Sequence, residues 1–176
     1  FRNIMARLTQ SPAPEVLNIG LPSERHHGWR YIAFGPDGKL YIAMGAPCNV
    51  CERDSEGFAQ VWRMNRDGTG LETFARGVRN TVGFTWHPDT GEFWFTDNGR
   101  DMLGDDFPPC ELNLIEEGRF YGWPYFNGDN VPDPDMGADP LAAERIPTPP
   151  VHGFRAHNAP LGIGFVDSRG WPGDFD

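Results

Sequence analysis

Two adjacent histidines, His26 and His27, stand in Glu24-Arg25-His26-His27-Gly28-Trp29-Arg30. Imidazole titrates near neutrality, so either ring is a candidate general base, although a histidine without context is more often a satisfied surface or core residue. Arg-Gly-Val-Arg-Asn brings Arg79 next to Asn80. A guanidinium placed where negative charge develops stabilises a transition state, while the bland alternative is a solvated turn pair. Asp97, Asp101, Asp105, Asp106 and Glu111 crowd hard oxygen donors into residues 96–113, a composition that suits calcium or a solvated acidic loop. Their spacing is not that of an EF-hand. Cys48 and Cys51 form a Cys-x-x-Cys. As a zinc half-site it lacks a second pair, and as a redox pair it lacks a βαβ context, which leaves a disulfide as the third alternative.

The elements that must position these groups read as β-hairpins. Residues 30–45 alternate apolar and polar around Pro36-Asp37-Gly38, and residues 81–99 repeat that grammar around Pro88-Asp89-Thr90-Gly91. Pro36 and Pro88 lie 52 residues apart, close to the period of four-stranded propeller blades. Residues 59–77 supply a further strand, turn and strand between them, and residues 160–176 carry a weaker third echo. No segment sustains helical periodicity. The expected fold is therefore all-β, with about three successive blades and a Pro- and Asp-rich inter-blade insertion at 127–159, in one partial domain over residues 1–176.

Composition agrees with packed, turn-rich structure: 22 Gly and 17 Pro accompany 13% aromatic residues. Fifteen basic against 25 acidic residues give a net charge of −10, which disfavours nucleic acid and anionic membrane as partners. No apolar run has membrane-spanning length and no signal-peptide pattern is present. The first residue is Phe1 and the last run, Gly-Trp-Pro-Gly-Asp-Phe-Asp, reads like the approach to a strand, so the chain is expected to be an internal piece of a longer protein.

The stretches HHGWRYIAFGPDGKLYIAMGAPCNVCE, ARGVRNTVGFTWHPDTGEFWFTDNGRD, ELNLIEEGRFYGWPY and HNAPLGIGF resemble, in order and spacing, the soluble pyrroloquinoline-quinone-dependent glucose and L-sorbosone dehydrogenases. GAPCNVCE and FTDNGRDMLGDD resemble the sorbosone branch most. The resemblance implies a six-bladed β-propeller that binds pyrroloquinoline quinone with Ca2+ on its top face. It implies His27 as the base, since the family's base lies eight residues before the Gly of the turn, here Gly35. Arg79 and Asn80 then contact the cofactor, and the main-chain carbonyls of Gly99 and Arg100 hold the calcium. His26 and His157 face the substrate. The family's action outside the cytoplasm implies a Cys48–Cys51 disulfide and a periplasmic or secreted setting. Three departures stand out: Trp29 where the family often has Gly, Val82 where glucose dehydrogenase has Gln, and Cys110 where Asp is usual.

The implied reaction is oxidation of a sugar or sugar aldehyde by hydride transfer to the quinone, with an external electron acceptor completing turnover. The piece alone is expected to be inactive. A calcium-dependent lactonase-like hydrolase and a non-catalytic propeller binding module are the alternatives.

Overall fold

A computed structural model describes residues 5–8, 14–18 and 20–166. Strands β1 (Met5–Leu8) and β2 (Pro14–Asn18) pair as an antiparallel hairpin. Next, β3 (Ile32–Phe34), β4 (Leu40–Met44), β5 (Gln60–Met64) and β6 (Glu72–Arg76) form a four-stranded antiparallel meander. A second four-stranded sheet, in the order β12-β9-β8-β7, uses β7 (Phe84–Trp86), β8 (Phe93–Asp97) and β9 (Pro109–Leu114). Its fourth strand comes late. The chain first makes the short pair β10 (Phe126–Asn127) and β11 (Val131–Pro132) and the single-turn helix α1 (Pro140–Ala143), and then β12 (His152–Ala156) returns to β9.

The two expected hairpins are capped differently. In the first, the Asp37 carboxylate accepts from Lys39 N at 3.0 Å and from the Tyr41 hydroxyl at 3.0 Å, while Gly38 takes the left-handed φ of +76° that the turn requires. In the second, His87 Nδ1 accepts from the amides of Asp89 and Thr90, both at 3.2 Å.

Period-two alternation explains why β4 is buried throughout. Leu40, Ile42 and Met44 face one way, onto Leu21 and Met64. Tyr41 and Ala43 face the other way, into a core shared with Phe84, Phe93 and Phe95 of the second sheet. That inter-sheet core is aromatic: Trp86 and Phe93 stack at 4.3 Å, and Tyr41 meets Phe74, Trp86 and Phe93 edge-on at 5.1–5.2 Å.

Two expectations about organisation differ from the structure. The described residues contain two complete four-stranded sheets and not about three. Residues 160–166 of the third echo form no strand, and 167–176 lie outside the described residues. The 127–159 segment is not an inter-blade insertion, because β12 lies within it and completes the second sheet. Pro and Asp density marks the excursion that delays this strand, and the short strand itself carries too weak an alternation to be seen from sequence.

Candidate functional site

Four connections converge: the lead into β3, the β4–β5 loop, the β6–β7 loop and the β8–β9 loop. His27 hangs between the first two. Its Nδ1 lies 2.9 Å from the Ala46 carbonyl, and since a carbonyl only accepts, Nδ1 carries the proton and Nε2 presents a lone pair. Close approach of the loops makes this contact. A Cβ on Gly45 would lie 2.7 Å from His27 Cβ and 2.8 Å from its carbonyl oxygen, so only glycine fits at 45. His27 itself takes a left-handed φ of 46°, and Arg30 Nη1 donates to its carbonyl at 2.8 Å. Burial, then the Arg79 charge, then His26, push the His27 pKa down to about 4, so the ring is neutral across the physiological range. His26 is exposed, with its ring edge-on to His27 at 4.1 Å.

Arg79 is buried at 3% exposure. Nε donates to the Asn49 carbonyl at 3.1 Å and Nη2 to Asn49 Oδ1 at 2.9 Å, while Nη1 reaches the carbonyls of Asn98 at 3.1 Å and Gly99 at 2.9 Å. Four of its five N–H groups are thereby taken. Asp101 lies 3.6 Å from Nη2. Beneath it, the buried Asp97 carboxylate gathers the backbone amides of Arg79, Asn80 and Asn98 at 2.8, 2.6 and 2.9 Å. Burial raises the Asp97 pKa to about 6 in spite of these three donors.

The acidic residues do not act as one cluster. Asp101, Asp105 and Asp106 are exposed, and among the described residues no group of three His, Cys, Asp or Glu side chains is placed to hold a metal. Glu111 accepts from Gly128 N at 3.0 Å and Asn113 Nδ2 at 3.1 Å, and burial followed by the Asp97 charge lifts its pKa to about 8. Asp97, Asn98, Gly99, Glu111 and Asn127 line one small cavity together with Pro108, Tyr121 and Trp123. Asn98 Oδ1 and Asn113 Oδ1 are buried without a hydrogen-bond partner among the described residues.

The other site residues are spread along the rim. The Arg100 side chain points away from Arg79 into a buried pair with Asp133, whose two oxygens accept from Nη1 at 2.8 Å, and Nη2 donates to Asp135 at 2.9 Å. His157 Nε2 is 2.8 Å from the Gly104 carbonyl, and its Nδ1 is 3.9 Å from Asp101. Cys48 and Cys51 are joined as a disulfide, and Cys110 is a buried free thiol. Trp29 is 80% exposed. Three participants were missed in sequence: the Ala46 carbonyl, Asn49 and Asp133. A main-chain oxygen leaves no sequence signal. Asn49 was visible as the polar residue inside the Cys-x-x-Cys, and Asp133 was lost among the acidic residues of the excursion.

Residues 15–174 match the glucose/sorbosone dehydrogenase family. An uncharacterized protein of Borreliella burgdorferi is 36% identical over 156 residues, spanning 87% of this chain and 40% of that protein. Quinoprotein glucose dehydrogenase B of Acinetobacter calcoaceticus is 28% identical over 141 residues, 65% of this chain and 29% of its own length. The PQQ-bound aldose sugar dehydrogenase of Streptomyces coelicolor superposes with a TM-score of 0.52 at 27% identity, covering 69% of this chain and 39% of that one. The chain spans less than half the length of these relatives. Its antiparallel sheets follow a β-propeller-like plan, and with this ordered match over nearly its whole length the chain belongs to the glucose/sorbosone dehydrogenase family.

Proposed function

We propose that this chain is part of a six-bladed quinoprotein dehydrogenase that oxidises a sugar or sugar aldehyde, with His27 as the base. The observation that carries the reading is the His27 tautomer. With Nδ1–H donated to Ala46 at 2.9 Å, Nε2 is the only basic position, and the half-buried ring is held neutral. A sugar hydroxyl hydrogen-bonded to Nε2 loses its proton there as hydride leaves the adjoining carbon. When bound, pyrroloquinoline quinone supplies the two-electron acceptor for that hydride, and an external acceptor reoxidises it.

The chain's residues fit those groups. Calcium suits the carbonyls of Gly99 and Arg100, because the Gly99 oxygen keeps a lone pair beyond its bond to Arg79 and the preceding residue, Asn98, has a buried Oδ1 with no partner among the described residues. Arg79 acts mainly through its charge, since one N–H remains for an anionic oxygen and four are committed to protein oxygens. Asn80, fixed by its amide on Asp97, presents its side chain toward Gly45 and His27, with Oδ1 3.5 Å from where a Cβ at 45 would stand. His26 and His157 contact substrate from the rim. The Cys48–Cys51 disulfide supports a periplasmic or secreted setting.

The test is reconstitution of the full-length apo-protein with pyrroloquinoline quinone and calcium, followed by dye reduction over a panel of aldoses and sugar aldehydes. Quinone-dependent reduction that is lost on chelation is the expected result. Lactone hydrolysis without quinone, or sugar binding with no turnover, would replace this reading with one of its alternatives.

A further inference from the structure

The segment from Gly45 to Cys51 connects the base to the guanidinium. Ala46 accepts from His27 Nδ1 through its carbonyl and donates its amide to the Arg79 carbonyl at 2.7 Å. Three residues on, Asn49 binds Arg79 twice, through its main-chain oxygen and its Oδ1. The same side chain also makes a reciprocal pair with the facing loop: Oδ1 accepts from Asp101 N at 2.8 Å, and Nδ2 donates to the Asp101 carbonyl at 3.0 Å. Both lone pairs of Oδ1 are thus used, one toward the β6–β7 connection and one toward the β8–β9 loop. The disulfide between Cys48 and Cys51 closes the turn around this asparagine.

We propose that Asn49 is a positioning residue, and the Cys48–Cys51 bridge its frame, which together set the Arg79 guanidinium and the Asn98–Asp101 backbone against His27. Without the side chain, Arg79 Nη2 and Asp101 N lose their acceptor, and the Asp101 carbonyl loses its donor. Arg79 keeps its bonds to the Asn49 carbonyl, Asn98 and Gly99, but the direct tie between residue 49 and the facing loop is gone, so that loop is registered on residue 49 only through Arg79. A positional error of this kind lowers turnover without removing any reacting group. An aspartate at 49 keeps both acceptors for Arg79 but turns its second carboxylate oxygen on the Asp101 carbonyl, where two acceptors repel, so it separates the Arg79 contact from the contact with the facing loop.

The experiment compares the full-length parent with Asn49→Ala and Asn49→Asp by hydrogen exchange of the 98–103 peptide and by quinone- and calcium-dependent dye reduction. Asn49→Ala is expected to speed exchange at 98–103 about 10-fold or more while peptides in β4 and β8 keep the parental rate. Its kcat is expected to fall by about 10-fold or more, with Asn49→Asp, which keeps the Arg79 bonds, recovering part of the lost turnover. Parental exchange in Asn49→Ala overturns the proposal. If Asn49→Ala does not fold, the Cys48→Ser/Cys51→Ser variant decides: faster 98–103 exchange supports the frame, and a parental rate overturns it. Only the turnover measurement rests on the dehydrogenase reading. A parent with no quinone-dependent turnover defeats that reading, and exchange alone then decides the role of Asn49.

Discussion

The loops that follow the second strand of each sheet occupy equivalent places and are fixed by different chemistry. Residues 45–59, after β4, carry a disulfide and a neutral tip, and they act through oxygens: Ala46 toward His27, Asn49 toward Arg79. Residues 98–108, after β8, carry three exposed aspartates and are held by Arg100 reaching Asp133, 33 residues away in the excursion before β12. A covalent closure needs only local sequence, whereas an ionic anchor needs a distant segment to fold first. The first loop therefore sets His27, and the second depends on the excursion before β12.

The sharpest way to break the first loop's function is to remove what it holds. In the full-length protein, His27→Gln keeps an N–H for Ala46 and has no basic lone pair. Turnover in the dye assay should fall on the order of 10²- to 10⁴-fold, with quinone affinity near parental. His26→Ala should mainly raise apparent KM, because an exposed flanking ring contacts ground and transition states alike. The parent's acid limb should lie near the His27 pKa of about 4, well below an ordinary histidine, and His27→Gln should flatten it. A limb near 6.5 in the parent would mean that the ring is not held half-buried beside the Arg79 charge.

Breaking the second loop should appear in stability. The Asp133 carboxylate is fully enclosed and accepts from Arg100, Asn127 and the amides of Asp135 and Met136. Asp133→Ala leaves the buried Arg100 guanidinium with only the exposed Asp135 as carboxylate partner, which costs on the order of 3 kcal/mol. Denaturant unfolding of the full-length protein measures it. A loss within the range of surface substitutions would show that the ion pair does not anchor the loop.

These two loops also differ in how far they could be read from sequence. The hairpins around Pro36 and Pro88 were legible because turn chemistry and strand alternation are local, and His27 and Arg79 were singled out by the family resemblance of the stretches around those hairpins. The pairing of β12 with β9 was not, since it joins residues separated by about forty positions of irregular chain and nothing local announces it. Arg100 was legible only as a backbone position, and its side chain's partner required the fold. The acidic residues of 96–113 looked alike in sequence, yet burial separates Asp97 and Glu111 from the exposed Asp101, Asp105 and Asp106. Burial of that kind is a property of the packed sheets.

The charges beneath the loops respond to acid in opposite directions. His27 has a folded pKa of about 4, below its unfolded value of about 6.5, so its contribution is present above pH 6.5 and lost as pH falls toward 4. Asp97 and Glu111, raised to about 6 and 8, are charged at a cost in the folded state, and acidification through those values relieves it. The stability of His27→Gln relative to the parent should therefore improve between pH 6.5 and 4, and that of Asp97→Asn should decline between pH 6 and 4. Differences that do not change with pH would contradict the burial of these groups.

The smallest expected effect is on global stability when the covalent closure is removed. A loop of four residues restricts few conformations of the unfolded chain, so Cys48→Ser/Cys51→Ser should lower unfolding stability by no more than about 2 kcal/mol. Ala46 keeps its backbone bond to Arg79, and β4 and β5 keep their ladder, so the sheet itself does not need the bridge. What the bridge restrains is the tip that carries Asn49. Unfolding midpoints of the double variant and of Asp133→Ala, measured side by side, decide whether the two anchors differ as described. A loss in the cysteine variant as large as that in Asp133→Ala would mean that the covalent loop supports the fold and does not merely aim Arg79. A small loss accompanied by slower turnover would separate aiming from stability, and would leave the bridge with a local task at the site.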